Sequence, residues 1–242
     1  ADDSPLWMRY CAISPDGQTI AFSYQGDIYT VPSSGGKARQ LTTHPAHDTR
    51  PVWSPDGQRI AFASNRSGNF DVFLMNKEGG EPKRLTTHST NEYPTTFKDN
   101  GHILYLANVL QDAKDIQFPG TRFMQVYEIS TDGGRPDLYS SLYMENIALS
   151  KDGSKLLYND YKGYEDPWRK HHQSSITRDI WLCTLGKDRS FQKVTTFGGE
   201  DRNPVWAADG ASFYYLQERF GRQQRETNHD AYHPPRAFPY LR

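Results

Sequence analysis

Apolar and polar residues alternate along this chain in short runs, and the same order of runs returns several times. A representative unit is PVWSPDGQRIAFASNRSGNFDVFLMNKEGGEPKRLTTH, residues 51–88. It contains a short apolar stretch, an Asp-Gly turn, the apolar run RIAFAS, the alternating run FDVFLM, a Gly-Gly turn and the more polar segment PKRLTTH. Alternation with a period of two between turn residues predicts four short antiparallel strands, which we call A, B, C and D.

This unit occurs five times when the chain is aligned on the glycine of its first turn. The glycines are Gly17, Gly57, Gly101, Gly153 and Gly210, with spacings of 40, 44, 52 and 57 residues. A repeat of 40-odd residues that predicts four strands is typical of a β-propeller blade. The predicted fold class is therefore an all-β propeller of four-stranded antiparallel blades. The predicted blades lie near residues 10–44, 50–88, 94–140, 146–197 and 203–220.

The repeat also carries a family resemblance. The sequence SPDGQRIAF, the strands GDIYTV and FDVFLM, the Gly-Gly turn and LTTH resemble the WD40-like repeats of TolB-type and tricorn-type propellers. Residues 10 to about 218 are most similar to the N-terminal propeller of secreted bacterial tricorn-like serine peptidases. In that family the peptidase nucleophile lies in a later domain, and nothing in this chain matches such a domain. The resemblance therefore implies a propeller to which no catalytic residue can be assigned.

The fifth unit ends early, after Phe220. The resemblance implies closure with six or seven blades, so five visible units predict an incomplete propeller. An open blade edge exposes unpaired main-chain groups and favours association, so a homodimer is one expectation. The alternative is closure with five blades, the fifth distorted. We predict that residues 221–242 form an atypical tail, and one hypothesis is that they are an out-of-frame translation of a longer propeller gene.

Charge and composition exclude several classes of partner. The chain has 28 Lys and Arg residues against 29 Asp and Glu, so its net charge of −1 argues against a nucleic-acid-binding surface. No apolar run approaches the roughly 18 residues of a membrane span. The start ADDSPLWMRY is compatible with a processed secretory protein or with an arbitrary boundary. Together with the resemblance, this start leads us to expect a periplasmic or secreted location.

The loops that vary between repeats are the predicted binding surface. In a four-stranded blade, the B–C loops and the links between blades lie on one rim, which we call the loop rim. Each of four links carries an acid before the next blade. The candidate residues on the loop rim are Asp48, Glu92, Glu145 and Asp201 in the links, and Tyr164, Trp168, Arg169, His171 and His172 in the fourth blade's B–C loop. The four acids could bind a cationic ligand at the channel mouth, or they could accept hydrogen bonds within the fold.

The sequence gives no sign of a cofactor, a metal or a catalytic nucleophile. His171 and His172, taken with Glu165 and Asp166 of the same loop, could suggest a metal site, but adjacent side chains rarely converge on one ion without a third ligand from elsewhere. No Gly-x-Ser-x-Gly elbow occurs, and Cys11 and Cys183 lack both metal-ligand spacing and a setting that lowers a thiol pKa. The expected ligand is a peptide or protein bound at the loop rim.

Two functions follow as expectations. In the first, the chain is the substrate-binding or gating propeller of an exported tricorn-like peptidase. In the second, it is a stand-alone TolB-like protein-interaction module of the periplasm. A glycan-binding propeller is a third possibility that rests on aromatic loop residues alone, such as those in DYKGYEDPWRK.

Overall fold

The strands predicted from the alternating pattern form five antiparallel sheets. The structure is a computed structural model, and it describes residues 8–109, 124–163, 175–207 and 209–217, together with the backbone of residues 236–239. All regular secondary structure in these ranges is β, so none of them contains a helix that could span a membrane. The predicted all-β propeller of four-stranded blades is confirmed. Compact packing divides the chain into two units, Ala1–Tyr143 and Met144–Arg242, which are described separately.

The first unit contains three four-stranded sheets, each a blade whose strands pair in chain order. Its strands are β1 (Arg9–Ile13), β2 (Thr19–Tyr24), β3 (Asp27–Pro32), β4 (Arg39–Gln40), β5 (Asp48–Trp53), β6 (Arg59–Ser64), β7 (Asp71–Asn76), β8 (Gly79–Arg84), β9 (Glu92–Asp99), β10 (His102–Ala107), β11 (Gln125–Ser130) and β12 (Asp137–Ser140). Buried apolar residues of the B and C strands, such as Ile60, Phe62 and Ile103, form the core between neighbouring sheets.

The second unit contains one four-stranded sheet and one three-stranded sheet. Its strands are β13 (Glu145–Leu149), β14 (Lys155–Asn159), β15 (Ile180–Thr184), β16 (Ser190–Lys193), β17 (Asp201–Trp206), β18 (Ser212–Gln217) and β19 (Arg236–Pro239). The last strand lies in the tail, where the sequence pattern had suggested no strand. β19 pairs antiparallel with β18 from Ser212↔Pro239 to Tyr215↔Arg236, and so gives main-chain partners to an otherwise open edge.

The Ser-Pro-Asp-Gly segments form the tight A–B turns that their sequence predicts. In the second blade, the Ser54 hydroxyl donates to Asp56 Oδ1 at 2.5 Å and accepts from the Arg59 N–H at 2.9 Å. Gly57 has φ 66°, a left-handed conformation that glycine adopts without steric cost. The serine and aspartate side chains are therefore occupied by the turn itself.

The first threonine of each LTTH segment, and of the corresponding VTTF segment at residues 194–197, holds the D strand onto the C strand. The Oγ1 atoms of Thr42, Thr86 and Thr195 accept hydrogen bonds from the N–H groups of Ile28, Val72 and Ile180, each at 2.9 Å. All three threonines are buried. This repeated bond explains why the segment recurs, and it fixes where each link to the next blade begins.

Candidate functional site

Three of the four predicted rim acids occupy one structural position. Asp48, Glu92 and Asp201 are the first residues of A strands and lie nine residues before their turn glycines. Each donates its N–H to a carbonyl of the preceding blade, on Gly26, Phe70 and Arg178 respectively, at 2.7 to 3.1 Å. All three side chains are buried. Glu145 lies one residue nearer its glycine and is half-buried, and Met144 takes the equivalent buried place.

Asp48 forms a buried ion pair inside the second blade. The Arg66 guanidinium, on the B–C loop, donates to both carboxylate oxygens of Asp48 at 2.9 and 3.2 Å. Only 13% of the Arg66 side chain and none of the Asp48 side chain is exposed. The guanidinium also lies over the Phe73 ring at 4.8 Å and donates to the Ser64 hydroxyl at 2.9 Å. Asp48 therefore secures the B–C loop against the link.

Glu92 lies next to a second buried acid, Asp71. Burial raises the pKa of Glu92 to about 7, and the adjacent Asp71 carboxylate adds to this effect. In its protonated form Glu92 donates to Asp71, whose carboxylate is also paired with Arg84 at 2.9 Å. The same carboxyl lies near the hydroxyl of Tyr105, and burial followed by this proximity raises the pKa of Tyr105.

In the second unit, Glu145 accepts from Arg178 at 2.7 Å, and the same guanidinium donates to Glu200 at 3.3 Å. The remaining candidates from the sequence, Tyr164, Trp168, Arg169, His171 and His172, lie outside the described residues. Binding of a ligand by any of the nine stays a prediction. The four acids themselves are engaged in contacts within the fold.

A cavity of about 480 Å³ opens at the loop rim of the first unit, where its three blades meet. Its walls come from the A-strand starts, the first B–C loop and the first link. The lining residues are Arg9, Tyr10, Ser23, Tyr24, Gln25, Gly26, His47, Thr49, Arg50, Phe70 and Tyr93. None of these was singled out from the sequence, because each is an ordinary strand or loop residue within its own repeat.

Arg50 is the central cation of this cavity. Its guanidinium carbon lies 4.4 Å from the centroid of the Tyr93 ring and 5.1 Å from that of the Tyr10 ring. Tyr93 contacts the Phe70 ring at 5.4 Å, and Phe70 meets the His47 ring edge-on at 6.0 Å. The aromatic rings hold the guanidinium in place through cation–π contacts and leave its edge available for hydrogen bonds.

The backbone at Arg50 adopts a left-handed conformation, with φ 54°. Tyr10, Asn146 and Asn203 share this conformation, and all four lie seven residues before their turn glycines. In each case the pairing between strands A and B shifts at this point, as in a β-bulge. Positive φ is unfavourable for a bulky residue such as arginine. The bulge therefore changes the direction of the Arg50 side chain at the expense of an unfavourable backbone conformation.

Two buried hydroxyl groups that line the cavity have no hydrogen-bond partner in the structure. They are Ser23 Oγ and Thr49 Oγ1, on residues that are 6% and 5% exposed. A buried hydroxyl without a partner is destabilising, so native proteins rarely retain one without a reason. Both residues line the cavity, and both oxygen atoms are buried.

Within the described ranges, no group of three or more His, Cys, Asp or Glu side chains is arranged to hold a metal ion. Burial raises the thiol pKa of both Cys11 and Cys183, the opposite of what a reactive cysteine requires. His44 and His88 each accept, through Nδ1, an N–H of their own link, from Ala46 at 3.0 Å and Thr90 at 3.2 Å.

Comparison with known proteins identifies the family. Residues 5–227 match the family model described as the tricorn protease N-terminal beta propeller domain. The chain belongs to this family. Among solved structures, the tricorn protease has a TM-score of 0.66 at 20% identity, and the match covers 87% of this chain and 20% of that one. A putative TolB from Agrobacterium tumefaciens has a TM-score of 0.67 at 18% identity, covering 88% of this chain and 70% of that one.

Among curated relatives, an uncharacterised protein from Agrobacterium fabrum is 25% identical over 215 residues, which cover 85% of this chain and 68% of the relative. A tricorn protease homologue from Streptomyces coelicolor is 30% identical over 71 residues, or 29% of this chain and 6% of the relative. An uncharacterised peptidase from Bacillus subtilis matches over 19% of this chain and 8% of its own length. This tricorn-type propeller thus spans only a small part of the peptidases that it resembles.

Proposed function

We propose that this chain is the non-catalytic, substrate-binding or gating propeller of an exported tricorn-like peptidase, and that peptides bind at its loop rim. The family match over residues 5–227 supports the tricorn-type context. The observation that carries the binding role is the cavity around Arg50, which combines a cation, aromatic walls and unpartnered hydroxyls. Concave sites with apolar walls and a few convergent polar groups are the usual form of a ligand site.

The position of the cavity supports the same role. It lies where the three blades of the first unit bring their links and B–C loops together, and loops on a rigid scaffold commonly carry function. The opposite ends of the strands carry the Ser-Pro-Asp-Gly turns, whose side chains already hydrogen-bond within the turn. Recognition of a peptide is therefore proposed for the loop rim and not for the opposite rim, which carries the A–B turns.

A stand-alone TolB-like interaction module of the periplasm is the second candidate. The relative from Agrobacterium fabrum supports the stand-alone part of this candidate, because the aligned region covers 68% of that protein. The gene that encodes this chain distinguishes the two candidates. A peptidase domain encoded downstream in the same open reading frame supports the first, and a stop codon soon after the propeller supports the second.

The purified chain is expected to hydrolyse no peptide. The measurement is a fluorogenic peptide assay at high protein concentration, with denatured protein as the background control. Because a contaminating peptidase would also give turnover, any activity must be traced to this chain by substitution. Turnover that one point substitution in this chain abolishes would contradict the non-catalytic role.

A further inference from the structure

Arg50 differs from Arg66, Arg84 and Arg178, which are also partly buried, in what it contacts. Arg66, Arg84 and Arg178 each pair with a carboxylate at 2.7 to 2.9 Å. Arg50 has no carboxylate partner among the described residues, and its contacts are the faces of Tyr10 and Tyr93. The rings of Tyr10 and Tyr93 thus contact the faces of the Arg50 guanidinium at the cavity wall. Among the described residues, no carboxylate pairs with its hydrogen-bonding edge.

The unpartnered hydroxyls give independent evidence for a ligand. Ser23 and Thr49 are at least nine-tenths buried, and both line the same cavity as Arg50. Neither hydroxyl gains a hydrogen bond from folding, so each is left without the partner that water gives it in the unfolded chain. An acceptor group from outside would satisfy both hydroxyls.

We propose that the cavity around Arg50 is a carboxylate subsite that takes the acidic side chain of an extended peptide. This inference rests on the proposed function, because it names the peptide feature recognised at the loop rim. A carboxylate offers two oxygens in one plane, which match the edge of a guanidinium and leave lone pairs for the two hydroxyls. Arg9 also lies in the wall of the same cavity.

The depth of the hydroxyls favours a side-chain carboxylate over a peptide's C-terminal one. A glutamate carboxylate extends three bonds beyond its Cα, so it can reach buried groups while its backbone stays at the rim. A C-terminal carboxylate is part of the backbone. It would draw peptide N–H groups in among the rings of Tyr10, Phe70 and Tyr93, where they would lose water without gaining acceptors.

The test is an NMR titration of the full chain that follows the amide of Gly26 and the side chain of Arg50. The probes are Ac-Ala-Ala-Glu-Ala-Ala-NH2, its Gln counterpart, and Ac-Ala-Ala-Ala-Ala-Ala with a free C-terminus. The glutamate peptide is expected to bind at least about tenfold more tightly than the other two, because a hydrogen bond between charged groups is stronger than one between neutral groups. Equal binding of the glutamate and glutamine peptides, or preference for the free C-terminus, would overturn the proposal.

Variants separate a binding role from a structural one. Arg50→Gln is expected to remove the preference for glutamate, whereas Arg39→Gln, at an exposed surface pair with Glu78, leaves it intact. Thr49→Val is expected to raise the melting temperature by a few degrees and to weaken binding of the glutamate peptide, because it removes an unpartnered buried hydroxyl. A lower melting temperature for Thr49→Val would show that its hydroxyl serves the fold and would overturn its assignment to the subsite.

The outcomes for the two proposals are distinct. Binding of all three peptides at the loop rim with equal affinity would leave the proposed function standing and reject the carboxylate subsite. No binding of any peptide at the rim would reject both. Stronger competition by inorganic phosphate than by acetate at the Gly26 and Arg50 signals would also reject the carboxylate assignment.

Discussion

Replacing Arg66 by Met is expected to lower the free energy of unfolding by about 3 to 5 kcal/mol, the usual effect of removing one partner from a buried ion pair. Asp48 would be left with a fully buried charge and without the two hydrogen bonds that Arg66 donates. Methionine keeps an apolar stem against Phe62 and Phe73, so lost packing contributes little. The measurement is urea-induced unfolding at neutral pH.

Two controls make this result specific. Arg39→Met breaks the exposed pair with Glu78 and is expected to change the free energy of unfolding by less than about 1 kcal/mol. Asp48→Asn combined with Arg66→Met removes both charges and is expected to recover much of the loss. Equal small decreases in the free energy of unfolding for Arg66→Met and Arg39→Met would contradict a structural role for the ion pair between Asp48 and Arg66.

The second large effect is expected in the pH dependence of stability, and Glu92 is its source. The pKa of Glu92 is about 7 in the folded protein, against an ordinary value of 4.5, and burial is the main cause. Below about pH 4.5 the carboxyl is protonated in both the folded and the unfolded chain. Between about pH 4.5 and 7 only the folded chain keeps the proton, so this contribution to stability decreases as pH rises.

The size of this loss follows from the shift in pKa. A difference of this magnitude corresponds to about 3 kcal/mol in the free energy of unfolding, lost by about pH 7.5. Glu92→Gln keeps a neutral hydrogen-bonding group at every pH, so its stability relative to the native chain should increase by that amount between pH 4 and 8. Unfolding curves of both proteins across this range measure it. A difference that does not change with pH would mean that the pKa of Glu92 is the same in the folded and unfolded chains and would contradict this prediction.

Much of the fold was predictable because each blade's sequence specifies its own turns and strands. Gly57 is needed at a positive φ, and Ser54 and Asp56 complete the turn, so SPDG marks an A–B connection wherever it occurs. The LTTH threonines are equally local, since Thr86 bonds to the adjacent C strand. The third strand of the last sheet was missed. Its residues 236–239 pair with β18 across 18 intervening residues that contain neither the Gly-Gly nor the Asp-Gly turn of the repeat.

The cavity could not be predicted in the same way, because its parts come from three blades. Tyr10, Arg50 and Tyr93 are each about 40 residues apart in the sequence and meet only when the blades pack side by side. One signal was available: alignment on the turn glycines places Tyr10 and Arg50 at the same position as Asn146 and Asn203. Asparagine often adopts positive φ, so its recurrence there could have pointed to the bulge and to an unusual arginine.

The acids predicted at the links do lie there, but the side chains of Asp48 and Glu92 are buried and contact groups within the fold. Asp48 and Glu92 were candidates for a cationic ligand because the link positions suggested a channel mouth. In the folded protein Asp48 faces Arg66, and Glu92 is buried next to Asp71, so that burial first and the adjacent carboxylate second raise the pKa of Glu92. Sequence position placed these acids in the correct links, but it could not show which side chains of the same or the preceding blade would surround them.

The most direct test of ligand binding at the loop rim is hydrogen–deuterium exchange of the full chain with and without a tryptic peptide mixture. We expect slower exchange at residues 23–26 and 47–50, which lie in or beside the cavity wall, and no change at the Ser-Pro-Asp-Gly turns of residues 14–17 and 54–57. Arg50→Gln should weaken the protection. Protection confined to the turns, or none at the cavity wall at saturating peptide, would contradict peptide binding at the loop rim.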